Sequence, residues 1–326
     1  MQVIEQINTE NCEKIREIYE DFRNKALSDY QYSSPPIEFE QFKLNIENNF
    51  LKGLVLFENA NPLGILIFYK EKHQTIEVNV IHANQEENEC KIRYALLEAL
   101  VKHLQDKNDW KVISYAMLGK QEAFVNEITN LNFKLVGQSI VKFDFKSPVA
   151  FRVFKNAEIP ESPDYKLAIW NEKHKEQVIE LINLAFKNTK NANFDSRLLT
   201  KEGSEEVLNM ILTNQYGSFL PSQSRLLLLN GNVEGFCLTT MVTQEKINIP
   251  LIAIRKNERN KGMGKFLLKS VLAGFVRLIT ENKILLSEIN ATTDTDNYPA
   301  VKMYRRLGFK EESFYPHAFL KNNLTE

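Results

Sequence analysis

Apolar and polar positions along the chain alternate in two registers, period two for strands and period 3.6 for helices, and the order of elements comes round twice. In the first half the pattern predicts a strand over Val3–Ile7, then a helix through Phe22 that Thr9 or Asn11 can cap, with Ile15, Ile18, Tyr19 and Phe22 on one face. A break at 33–36 leads to a helix over Glu38–Phe50 and strands over Gly53–Phe57, Gly64–Tyr69 and Thr75–His82. An amphipathic helix over Lys91–Leu104, a strand over Lys111–Ala116, a helix over Gln121–Leu131 and a strand over Lys134–Phe145 complete that half.

The second half reads likewise. Strands are expected over Lys166–Trp170, Arg225–Leu229, Gly235–Val242, Lys246–Ile254, Ile284–Asn290 and, at an edge, Phe309–Leu320. Helices are expected over His174–Phe186, Ser204–Tyr216 and Asn297–Leu307, and Asn230-Gly231-Asn232 marks a hairpin turn. Between the halves, Pro148, Pro160 and Pro163 suggest a linker, so the expected organisation is a domain at 1–146, a linker at 147–164 (with a short strand conceivable at Ala150–Phe154) and a domain at 165–326. Gly64 laid on Gly235 gives an offset of 235 − 64 = 171, and Phe133 on Phe309 gives 309 − 133 = 176. An internal repeat of one mixed α/β unit accounts for both.

One stretch differs from its counterpart in chemistry. The uncharged run Pro250–Ile254 leads through a polar turn to Gly262-Met263-Gly264, after which Phe266, Leu267, Leu268, Val271, Leu272 and Phe275 recur at helical spacing. A helix beginning past glycines offers unpaired N–H groups and a positive dipole end, which suit a phosphate.

Composition narrows the rest. Over 326 residues the hydrophobic share is 43% and the charged share 25%, ordinary for a globular protein. A formal net charge of −1 gives no general attraction to nucleic acid or anionic lipid. No apolar run approaches the roughly 20 residues of a membrane helix, and the start of the chain does not read as a signal peptide. Cys12, Cys90 and Cys237 are isolated and the five histidines are scattered, so a cytoplasmic setting is expected, without a disulfide framework or a metal site.

Arg259-Asn260-Lys261-Gly262-Met263-Gly264, between strand and helix, resembles motif A of the GNAT N-acetyltransferase superfamily, R/Q-x-x-G-x-G/A. Asn297-Tyr-Pro-Ala300, Tyr304 and Gly308-Phe309 resemble its motif B, in the expected order and spacing. The resemblance implies two tandem GNAT folds, of mixed α/β class with a mixed sheet, and acetyl-CoA as co-substrate. The pantetheine arm would pair with backbone at Ile252, Ala253 and Ile254, in a gap where this strand splays from the next. Amides from Arg259 through Lys265 would hold the diphosphate, Arg255, Lys261 and Lys265 would add charge, and Asn297 would touch the cofactor.

Tyr304 stands where the family has its general acid, for protonating the leaving thiolate. Glu288 is the first candidate for the base that frees the amine, followed by Glu245, Asp294 and Asp296; the strand itself carries Asn248 and Pro250 and no carboxylate. In the first half Lys91 and Arg93 replace the two glycines, Asn88 replaces Arg259 and Ile128 replaces Tyr304, so that half is expected to be degenerate. The expected reaction is acetyl transfer to a primary amine of a small molecule or peptide in a ternary complex. The rival is a non-catalytic CoA-binding or partner-binding module, which would need neither Tyr304 nor a base.

Overall fold

In the computed structural model, residues 1–32, 35–119, 121–148, 151, 154 and 165–322 are described. They fall into two compact units, and the division does not follow the midpoint of the chain. Unit 1 comprises Met1–Val136, Asn193–Ser196 and Tyr315–Glu326; unit 2 comprises Gly137–Ala192 and Arg197–Phe314.

Unit 1 contains β1 (Gln2–Gln6), α1 (Arg16–Lys25), α2 (Phe39–Glu47), β2 (Lys52–Glu58), β3 (Asn61–Lys70), β4 (Thr75–Ala83), α3 (Glu89–Leu104), β5 (Val112–Ala116) and α4 (Glu122–Asn130). β1 to β4 form an antiparallel meander and β5 joins β4 in parallel. One face is covered by α1 and α2, with Tyr19 stacked on Phe42 at 4.4 Å between centroids. The other is covered by α3 and α4 through Leu96, Leu97, Leu100, Phe124 and Ile128.

Unit 2 takes the C-terminal part of β6 (Lys134–Asp144), then β7 (Lys166–Ile169), α5 (Lys175–Phe186), α6 (Lys201–Leu212), β8 (Ser218–Phe219), β9 (Arg225–Leu229), β10 (Asn232–Thr243), β11 (Lys246–Ile254), α7 (Met263–Thr280), β12 (Glu288–Asp294) and α8 (Tyr298–Arg306). Helices α5 and α6 cover one face; α7 and α8 cover the other. The apolar stripe of α7 sinks Leu267, Leu268, Val271, Leu272, Phe275 and Val276. At about 1.5–3 kcal/mol per buried large side chain, that stripe outweighs any local helix preference.

The elements recur at the offsets read from the sequence. β4 starts at Thr75 and β11 at Lys246, 246 − 75 = 171, while α4 and α8 start at Glu122 and Tyr298, 298 − 122 = 176. What the sequence reading missed is where the last strand of each half goes. From Gln138 to Asp144, β6 pairs antiparallel with β12 in unit 2. From His317 to Lys321, β13 (Lys310–Lys321) pairs antiparallel with β5 in unit 1. The halves have exchanged their closing strands, so the compact units do not divide at 146 and 165.

Two further expectations change. The strand expected over Ile284–Asn290 begins at Glu288, because parallel pairing sets Glu288 opposite Lys246, the first residue of β11. Most of the proposed linker, and with it most of the conceivable strand at Ala150–Phe154, lies outside the described residues. Phe154 is buried in unit 2, 5.4 Å from Phe143 between ring centroids.

Candidate active site

The site is built in unit 2 where β11 and β12 part. They pair in parallel from Lys246↔Glu288 to Ile249↔Ala291 and no further. Pro250 follows, and a proline supplies no N–H to continue a ladder. Opposite β10 the register also slips here: Leu238 faces Leu251 while Thr240 faces Asn248, so Ile249 and Pro250 together oppose Thr239. That is a bulge on β11, and it turns the rest of the strand over. Before it Ile249 packs toward α7 and α8; after it Leu251 and Ala253 pack toward α5 and α6.

Beyond the bulge one edge of β11 is unpaired with β12. The N–H of Arg255 bonds to the carbonyl of Glu234 on β10 at 2.8 Å. Antiparallel alternation therefore directs Ala253, opposite Phe236, to β10 as well, and directs Ile252 and Ile254 into the gap. Of the three backbone positions expected to meet the pantetheine arm, Ala253 is thus excluded. The Ile254 carbonyl already accepts from Arg259 Nε at 2.9 Å, which leaves the groups of Ile252 and the Ile254 N–H.

At the open end of the gap lies the start of α7. Gly262 is its N-cap at φ +82°, ψ −1°, a left-handed conformation that glycine adopts without strain. Asn260 is also left-handed, at φ +64°. Phe266 N–H is the first to find a helical partner, the Gly262 carbonyl at 3.0 Å. The N–H groups of Met263, Gly264 and Lys265 precede it, with no side-chain cap and no acidic residue in the first turn. A Cβ on Gly264 would stand 3.0 Å from Met303 Sδ on α8, so glycine keeps this approach open.

The cations around this turn are mostly engaged. Arg255 pairs with Glu234 at 2.9 Å, and Lys261 holds both carboxylate oxygens of Glu258 at 3.0 and 3.1 Å; the Tyr165 hydroxyl, and after it Lys261, pull that carboxyl below its ordinary range. Lys265 is exposed and makes no ion pair among the described residues. Asn297 caps α8, its Oδ1 accepting from Ala300 N–H at 3.4 Å.

Tyr304 belongs to the apolar cluster that Ile249, Ile252 and Ile254 of β11 pack against. It is 2% exposed, edge-on to Phe309 at 5.1 Å, and shares that cluster with Cys237, the residue opposite Ile252. Burial raises the phenol well above its ordinary pKa, so it stays protonated at neutral pH, and its hydroxyl has no hydrogen-bond partner among the described residues. Glu288 is elsewhere. It stands level with Lys246, six residues and about 20 Å along β11 from Ile252. Its carboxylate pairs with Lys246 at 3.1 Å and Lys142 at 3.6 Å. Position and partners both remove it as a base for chemistry in the gap. Glu245 precedes β11 at that same distant end, paired with Lys146 at 3.5 Å.

Unit 1 has the same splay with different contents. β4 and β5 pair only from Thr75↔Val112 to Val78↔Tyr115, which the offsets place on the same register as in unit 2. Tyr30, Tyr32, Tyr115 and Gln121 line what remains of the gap. Arg93, at the position of Gly264, runs inward at 2% exposure over the Phe124 ring, its guanidinium bonded to Glu89 at 3.0 Å and to Gln121. Glu89 also puts a negative charge in the first turn of α3. The first turn of α7 carries no such acid.

The acetyltransferase (GNAT) family profile matches residues 179–309. Those residues form a GNAT-family domain. This GNAT domain lies within unit 2 apart from residues 193–196. The fold of the whole chain is that of tandem GNAT proteins. A tandem GNAT protein from the clavulanic acid biosynthesis pathway aligns over 99% of each chain with a TM-score of 0.61 at 12% identity. A GCN5-related N-acetyltransferase from Sphaerobacter thermophilus aligns over 98% of this chain and 95% of its own, with a TM-score of 0.64 at 13% identity. No curated protein matches the chain in sequence. No helix among the described residues is long and apolar enough to cross a membrane.

Proposed function

We propose that unit 2 transfers the acetyl group of acetyl-CoA to a primary amine of a small molecule or peptide by direct attack in a ternary complex. The observation that carries this reading is the uncapped, acid-free start of α7 beside the unpaired edge of β11, with a buried protonated phenol in the cluster that β11 packs against. The N–H groups of Met263, Gly264 and Lys265 suit a diphosphate, with the Lys265 ammonium adding charge. The edge at Ile252 and Ile254 suits an amide-bearing arm, taken as an added strand. An arm running inward along that edge brings its thioester to the bulge, where the Ile252 N–H can polarise the carbonyl.

The neutral amine attacks the carbonyl carbon, the C–N bond forms, and the oxyanion collapses with cleavage of the C–S bond. Tyr304 gives its proton to the leaving sulfur and recovers one from the nitrogen, so an ammonium and a thioester become an amide, a thiol and one released proton. Unit 1 lacks the glycines and the acid-free turn, carries Ile128 in place of Tyr304, and fits a supporting role. Release of free CoA thiol over a panel of amines tests the assignment, with Tyr304→Phe as the comparison. Turnover that Tyr304→Phe strongly reduces supports it. Uptake of acetyl-CoA without turnover on any amine would favour a binding module.

A further inference from the structure

Glu288 being remote, the cleft in unit 2 needs another group to take the proton of the acceptor. β12 carries Glu288, Asn290, Thr292 and Asp294 on one face and Ile289, Ala291 and Thr293 on the other, and Ile289 and Ala291 pack with α7, α8 and Tyr304. Asp294 therefore sits on the opposite side of the sheet from the phenol. It also lies three residues beyond Ala291, the last position paired with β11, so it belongs to the splayed segment. Asn248 and Asn290, level with each other on that same face, continue a polar row toward it, and Asn290 Oδ1 is buried without a hydrogen-bond partner among the described residues.

Asp294 is held in place. It is 8% exposed, and Oδ1 accepts from Gln138 Nε2 of the exchanged strand β6 at 2.6 Å. Oδ2 has no hydrogen-bond partner among the described residues. We propose that Asp294 is the general base of the acetyl transfer, that Gln138 is its positioning residue, and that the acceptor enters from the α5–α6 face. This rests on the functional reading above. The first proton of the acceptor ammonium passes to Asp294, directly or through one water, and leaves to solvent after turnover; the second follows the Tyr304 route. Acid and base then work from opposite faces of one gap.

Burial raises the Asp294 carboxyl above its ordinary range and the charge of Asp296 adds to this, while the Gln138 hydrogen bond and the Lys190 ammonium oppose it. Lys190 is itself paired with Asp296. The test is the pH profile of kcat/KM for wild type, Asp294→Asn and Gln138→Ala, with acetyl-CoA affinity measured alongside. Asp294→Asn keeps the side-chain shape and the acceptor oxygen that Gln138 needs. It should bind acetyl-CoA normally and lose about 100-fold or more in kcat/KM near neutrality, a deficit that shrinks as pH approaches the acceptor's own pKa. Gln138→Ala should move the acidic limb upward. An Asp294→Asn profile parallel to wild type, or uniformly lowered at every pH, would overturn the base assignment while leaving the transferase reading intact. Wild type that binds acetyl-CoA yet neither acetylates any amine nor hydrolyses the thioester would overturn both.

Discussion

Replacing Gly262 by Asn or by Asp separates folding from phosphate binding. At φ +82° any side chain meets left-handed strain, worth roughly 1–2 kcal/mol and less for Asn and Asp than for other residues. A Cβ at this position would find no atom within 4 Å, so no steric cost is added and the strain is shared by both variants. They differ by one charge at the start of an 18-residue helix with no acid in its first turn. For the protein alone, Asp is the better residue there by about 0.3–1 kcal/mol. For a bound diphosphate it is the worse one. Two negative charges about 5 Å from the new carboxylate, in water, cost about 1.7 kcal/mol, or roughly 15-fold in Kd. Gly262→Asp should thus melt at or above Gly262→Asn and bind acetyl-CoA about an order of magnitude more weakly, as read by thermal unfolding and titration calorimetry. In 1 M salt the difference in Kd should largely vanish while both still fold. Equal affinities at low salt would refute the placement of the diphosphate at this turn.

Tyr304→Phe removes a hydroxyl without a hydrogen-bond partner from a buried site, so stability should change by less than about 1 kcal/mol while kcat for thiol release falls by about 10²-fold or more. Deleting residues 315–326 takes the antiparallel neighbour from β5, leaving only its parallel pairing with β4, and removes the Asn322 bonds to the Lys107 and Trp110 carbonyls, so those amides of Val112–Ala116 that face β13 should lose hydrogen-exchange protection. His317, bonded to Ser114 at 2.8 Å and stacked on Phe194 at 3.9 Å, is pushed down by burial to a pKa of about 4. The unfolded chain takes up this proton first, so the stability it provides is complete above about pH 6.5 and is lost as pH falls toward 4, by at most about 3 kcal/mol. His317→Gln should flatten that part of the stability profile in chemical denaturation.

The recurring order of elements and the glycine turn before α7 were legible because each is written in local patterns. Period-two and period-3.6 patterns, the Asn230-Gly231 turn and the glycines at 262 and 264 all state their geometry within a few residues. The strand exchange was not legible. β6 and β13 both alternate as half-buried strands do, and alternation does not name the sheet edge that will accept them. That gap had a consequence for the site, because the residue holding Asp294 is Gln138, from the other half of the sequence. Glu288 misled for a related reason. Its place on the strand before motif B was read correctly, but the register of the parallel pair puts it level with Lys246, at the closed end. The bulge at Ile249–Pro250 decides which backbone groups face the gap, and Pro250 was its only sequence trace.

The most direct measurement is a crystal structure of the full chain soaked with acetyl-CoA. The account predicts the diphosphate on the N–H groups of Met263–Lys265, the arm along Ile252 and Ile254, and the sulfur beside Tyr304. A cofactor bound instead around Lys91 and Arg93 in unit 1, or none bound at saturating concentration, would contradict it.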